Sequence, residues 1–187
     1  MYEPDSPEIE EERPLRRAEY DRLVREGFFD DERIELLRGR LVPMSPQGTH
    51  HAETLRRLNR LLNKALLDRA EIQVQSPVAA SDDSEPEPDL AVIPRGTYLD
   101  EHPASAFLVI EIAESSVARD RRKANLYAGM SIPEYWLVDL KRRLIEVRTL
   151  PEGGEYLRVV PYRDDESIAL TAFPDVAFRV SDVLPSG

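Results

Sequence analysis

Phe107-Leu108-Val109-Ile110-Glu111-Ile112-Ala113 is the stretch whose reading decides this chain. It has the length and apolar character of a buried strand. Glu111 breaks the run. An ionised carboxylate there is costly unless it meets a metal, a cation or strong hydrogen-bond donors. A second carboxylate, Asp89, opens another apolar run, Pro88-Asp89-Leu90-Ala91-Val92-Ile93. Lys123 follows in a stretch that reads as helix. Two strand-borne carboxylates plus a lysine are the parts of a magnesium-dependent phosphodiesterase.

Strand alternation tests whether the carboxylates can converge. Asp89 shares a face with Ala91 and Ile93; Glu111 shares one with Phe107, Val109 and Ala113. Neither pattern forbids a common cleft, and both acids lie near the end of an apolar run. Lys123 has Leu126, Tyr127 and Met130 at i+3, i+4 and i+7, an inward-looking helical stripe. From that stripe its ammonium either snorkels outward or reaches Glu111, and periodicity weighs the two evenly.

Outward from this centre the chain alternates helices and strands. Pro14 to Glu26 has helical character. Arg33 to Met44 reads as a hairpin turning at Arg38-Gly39-Arg40. A helix is expected over His51 to Arg69, with Leu55, Leu58, Leu62 and Leu66 as its apolar stripe. Arg56, Arg60 and Lys64 fall on another face, a solvated face first and a phosphate-facing one second. Ile72 to Ala79 reads as a strand, and 81–88 as an acidic turn region. After the Glu111 strand come a helix over Val117 to Met130 and strands at 135–139, 144–149 and 156–160. Short β-like pieces close the chain. This order gives α+β or α/β with a mixed sheet.

The chain has 187 residues, 41% hydrophobic and 33% charged, enough for one domain with a core. Residues 1–13 read as a disordered acidic tail and 14–187 as the domain. The absence of cysteine excludes disulfides, thiolate zinc sites and cysteine nucleophiles. No stretch reaches membrane-spanning length and no targeting segment is visible, so a cytoplasmic location without membrane contact is expected. The net charge of −11 argues against a general nucleic-acid binder. Met1 to Glu12 supplies Glu3, Asp5, Glu8, Glu10, Glu11 and Glu12, and the remainder is still acidic. Weak intrinsic DNA affinity follows. There is no HExxH, GxSxG or Walker-type loop, so zinc-protease, serine-hydrolase and P-loop readings lack support.

Four further stretches carry a resemblance: Glu85-Pro86-Glu87-Pro88-Asp89-Leu90, Val109-Ile110-Glu111-Ile112-Ala113-Glu114-Ser115-Ser116, Asp120-Arg121-Arg122-Lys123 and Ile132-Pro133-Glu134-Tyr135-Trp136-Leu137-Val138-Asp139. Together with Arg33 to Gly39 and Met44-Ser45-Pro46 leading to His51, they resemble the Uma-type (Uma-two) family of restriction endonucleases. That family belongs to the PD-(D/E)xK nuclease superfamily. The likeness runs from about residue 14 to 185. It implies a restriction-endonuclease-like core, a mixed sheet flanked by helices with the site at one edge. It implies that Asp89 is the PD aspartate and Glu111 the following acid. The usual lysine position, two after Glu111, holds Ala113, and the resemblance moves that lysine to Lys123. Glu35 matches an upstream glutamate that adds a metal or water contact; a half-exposed strand acid is an equal reading. His51 also matches a family position, although packing beside the site is the favoured reading. Met130-Ser131 stands where relatives often have Ala-Gly. Glu134 reads as structural.

The combined expectation is a DNA endonuclease holding Mg or Mn through Asp89, Glu111 and the Ile112 carbonyl. Lys123 would position or activate the attacking water. A homodimer is expected, since duplex cleavage benefits from two sites. The rival is a catalytically weak nuclease-fold module acting through a protein partner. A basic rim around the cleft favours the first, an acidic one the second.

Overall fold

The computed structural model describes residues 13–114 and 117–185. The acidic tail lies outside the described residues except for Arg13, as do Ser115 and Ser116 of the second motif. A helix α1 (Arg17–Arg25) leads into a two-stranded hairpin, β1 (Ile34–Leu37) and β2 (Arg40–Pro43). Arg38 and Gly39 take φ of 51° and 74°, the paired left-handed residues of a tight hairpin turn. Gly39 is required twice over, because a Cβ there would lie 2.3 Å from the Pro14 side chain.

The long helix α2 (Thr49–Leu66) follows, then β3 (Glu71–Val74), β4 (Leu90–Ile93) and β5 (Leu108–Ala113). Helix α3 (Val117–Gly129) crosses from β5 to β6 (Glu134–Asp139). Strands β7 (Leu144–Glu152) and β8 (Glu155–Arg163) form a long hairpin. A small hairpin, β9 (Ser167–Ala169) with β10 (Ala177–Arg179), and a short helix α4 (Val180–Val183) complete the fold. The main sheet has the order β3-β4-β5-β6-β7-β8. Its β5–β6 pair is parallel and the others antiparallel, so it is the mixed sheet that the element order predicts. A parallel pair needs a crossover, and α3 supplies it.

Every residue of β4, β5 and β6 is buried, which explains their near-continuous apolar sequence. Strand alternation sends Leu90, Val92, Leu108, Ile110 and Ile112 toward the core that includes Leu58, Leu62 and Leu66 of α2. It sends Ala91, Val109 and Ala113 toward Ala124, Tyr127 and Ala128 of α3. Glu111 shares that second face. Apolar residues of the terminal segment, Ile168, Phe178, Val180 and Val183, pack into the first core.

Three expectations change. The strand read at Ile72 to Ala79 stops at Val74. Gln75 donates its N–H to the Asp89 carbonyl in register with the ladder, but its φ of 46° turns the chain out of the extended conformation and ends the strand. The helix read to Arg69 ends at Leu66, with Leu67 at φ of 38°. The carboxylates lie at no lateral edge, because β4 and β5 are interior strands. Ser131 takes φ of 59°, a backbone that favours glycine. Among the described residues, no helix is long and apolar enough to cross a membrane.

Candidate active site

The β4–β5 ladder runs from Val92↔Leu108 to Leu90↔Ile110 and stops there. Asp89 comes immediately before β4, so its side chain meets β5 where backbone pairing has ended. Its Oδ2 accepts the Ile112 N–H at 2.8 Å. In a strand, one residue's N–H and C=O point to the same side. The Ile112 carbonyl therefore also faces the Asp89 side. Asp89 Oδ2 lies 3.0 Å from His51 Nε2. An ionised carboxylate only accepts, which assigns the proton to Nε2. His51 Nδ1 is buried without a hydrogen-bond partner among the described residues.

On β5, Glu111 accepts two hydrogen bonds at one oxygen. Lys123 Nζ donates to Oε1 at 2.8 Å, and the Tyr127 hydroxyl donates to the same atom at 2.8 Å. No hydrogen bond reaches Oε2 among the described residues. Lys123 therefore reaches inward to Glu111. Its Nζ also lies 2.7 Å from Glu35 Oε2, and its side chain is only 5% exposed. Glu35 is 1% exposed and also accepts the Glu87 N–H at 3.2 Å. The half-exposed reading of Glu35 is thus corrected: the register of β1 turns its side chain inward, where Lys123 provides the counter-charge.

Two carboxylates share one buried ammonium. Burial pushes the Glu111 carboxyl up to about 8 against the pull of Lys123, and Asp89, Asp120 and Glu35 add to the rise. Burial opposes the charge on Lys123, but attraction to Glu111 and Glu35 outweighs it and raises its pKa. The ammonium is therefore charged at neutral pH and cannot act as a proton acceptor. Two of its three N–H donors are spent on the two acids, leaving one.

Asp89, Glu111, Ile112, Lys123, Glu35 and His51 all line one cavity of about 80 Å³. The loop Met44 to Gly48 and residues Glu114, Arg119 and Asp120 form the rest of its wall. Among the described residues, no cluster of three or more His, Asp or Glu side chains is arranged to hold a metal. A closed protein cage is thus absent among them. What remains is two carboxylates and Ile112 lining one cavity. Magnesium takes hard oxygen donors, often from only one or two carboxylates, and keeps several waters. The unspent Oε2 of Glu111 fits that habit. Asp89 Oδ1 has only a 3.5 Å contact with Gln75 Nε2, and it fits equally.

The family profile described as "Putative restriction endonuclease", Uma2, matches residues 17–181. The chain belongs to the Uma2 family. A solved structure, described as a "putative nuclease belonging to DUF820" from Anabaena variabilis ATCC 29413, is similar to this Uma2 chain with a TM-score of 0.75. The two are 16% identical, over 91% of this chain and 97% of the other, a likeness that carries the fold alone. No curated protein matches the sequence. Family membership makes this a nuclease-family protein.

Two groups in the Uma2 site escape the sequence reading. Tyr127 reads as an apolar stripe residue, yet its hydroxyl holds Glu111. Its i+4 spacing from Lys123 was the available signal. Asp120 is 3% exposed and lines the cavity one helical turn before Lys123. The other histidines lie apart: His50 faces Glu114 at 3.8 Å and His102 faces Glu85 at 3.9 Å. Glu134 is structural as read. It accepts the Trp136 indole N–H and the Thr171 N–H, both at 2.7 Å.

Tyr127→Phe keeps the ring packing and removes one donor from a buried carboxyl. The expected cost is about 1–3 kcal/mol in urea unfolding. An unchanged unfolding midpoint would show that the Tyr127–Glu111 bond contributes nothing to the fold.

Proposed function

We propose that this Uma2 protein is a divalent-metal-dependent endonuclease that hydrolyses phosphodiester bonds of DNA. Mg or Mn would be held by Asp89, Glu111 and the Ile112 carbonyl. The observation that carries this reading is the state of Glu111. One oxygen is locked by Lys123 and Tyr127, and the other has no hydrogen bond in a cavity it shares with Asp89. That second oxygen is open to the cavity, within reach of an ion or of water.

When bound, the ion supplies Lewis-acid activation of the phosphoryl group and lowers the pKa of water. The chain's own residues do the positioning. Lys123, held charged by Glu35 and Glu111, offers its remaining N–H to the attacking water or a phosphoryl oxygen, where it stabilises developing negative charge. Glu35 fixes the ammonium. His51 fixes Asp89 by donating from Nε2.

A second reading rests on charge. Glu35, Asp89, Glu111, Glu114 and Asp120 face the cavity, and the whole chain carries −11. An acidic surround favours a nuclease-fold module that acts through a protein partner. Thermal melts and cleavage assays separate the two. Millimolar Mg or Mn should raise the melting temperature by mass action, about 2.7 kcal/mol of stability at a hundred times Kd. The same ions should support cleavage of supercoiled DNA. A protein with neither response belongs to the second reading.

A further inference from the structure

We propose that Arg119 receives a phosphate of the bound nucleic-acid strand at the mouth of the Asp89–Glu111 cavity. This deepens the nuclease reading and rests on it. The walls of the cavity carry five acidic side chains and two cationic ones, Lys123 and Arg119. A phosphate approaching such walls needs a cation that reaches solvent. Lys123 does not provide it, because its side chain is 5% exposed and paired with two carboxylates. Arg119 is the one cationic wall residue, among the described residues, with substantial exposure, 30% of its side chain.

The Arg119 guanidinium is also loosely held. Nη1 donates to the Pro43 carbonyl at 3.5 Å, a long bond. Nε lies 3.7 Å from Asp120 Oδ1 and is buried without a hydrogen bond among the described residues. Three other arginines of the fold are clamped: Arg121 and Arg148 on Glu146, Arg143 on Asp164. A guanidinium has five donors in a planar fork that matches a phosphate bidentately. Most of the Arg119 fork is unspent. Its place is not explained by helix electrostatics either. Arg119 is in the first turn of α3, where the helix dipole disfavours a cation.

The test is binding of a short DNA duplex followed by fluorescence anisotropy. Calcium replaces Mg so that binding is read without turnover. Arg119→Gln is compared with Arg122→Gln, a neighbour on α3 that is exposed and outside the cavity wall. Arg119→Gln should weaken binding about 5- to 10-fold more than Arg122→Gln and lower the salt slope by about 1. Arg119→Lys should recover only part of the affinity, because it keeps the charge and loses the fork. It also serves as the folded comparison if Arg119→Gln melts early.

Equal binding by the two Gln variants overturns the Arg119 assignment and leaves the nuclease reading standing. No duplex binding by the wild type overturns both. Selective weakening by Arg119→Gln, with no cleavage by wild type in Mg or Mn, keeps the phosphate contact and removes the nuclease reading.

Discussion

Replacing Lys123 by methionine is expected to destabilise the fold by about 3–5 kcal/mol above about pH 8, where Glu111 ionises. The side chain is of similar length, so the loss is electrostatic. Glu35 and Glu111 would remain buried without their shared counter-charge. For a chain of this size the melting temperature should fall on the order of 10 °C. The pH dependence gives the cause away. Glu111 has a folded pKa raised to about 8, above its unfolded value. A raised acid contributes stability that is full below the unfolded pKa and is lost as pH rises through the folded one. Lys123 opposes that rise, so its removal strengthens the loss. The deficit of Lys123→Met should therefore be largest above about pH 8 and narrow toward about pH 5, where carboxyls take up protons. Adding Glu35→Gln should recover part of it. A deficit that is flat with pH and indifferent to Glu35 would mean that Lys123 acts through packing alone.

Asp89→Asn should remove most of the metal-induced rise in melting temperature and slow cleavage by about 100-fold or more. The metal-free variant should fold as well as the wild type or slightly better. Asp89 raises the proton affinity of Glu111 by like-charge repulsion, and the amide ends that repulsion. Asn can still accept the Ile112 N–H through its oxygen. Melts with and without Mg, on both proteins, decide the point. Equal shifts in the two would place the ion elsewhere and end the proposed ligand set.

Much of this was legible in the sequence because charge inside an apolar run is hard to explain otherwise. Glu111 within Phe107–Ala113 marked both the strand and the site. Helical spacing places Lys123 on an inward stripe and leaves its direction open; its role comes from the family resemblance. The turn at Arg38-Gly39 was legible from its residue types. Other features depended on backbone turns or on contacts between distant segments. β3 ends at Val74 because Gln75 takes a left-handed φ of 46° two residues before Pro77, a backbone turn that the apolar pattern to Ala79 does not reveal. The hairpin of β7 and β8 runs past Thr149 to Glu152, although Pro151 argues against a strand there. Tyr127 was counted as core because a ring at i+4 on a buried stripe says nothing about where its hydroxyl ends. Glu35 looked half-exposed because alternation on β1 does not reveal that Lys123 lies against it.

The bond from Ile112 N–H to Asp89 Oδ2 has one more consequence. Elsewhere in β4 and β5 the amide protons are held by a neighbouring backbone. This one is held by a titratable side chain that is itself a proposed ligand. Its exchange with deuterium, and its chemical shift, therefore follow the state of a single carboxylate. The strand carries its own spectroscopic probe at the point where its ladder opens, and one amide resonance can follow the occupancy of the site without any substrate.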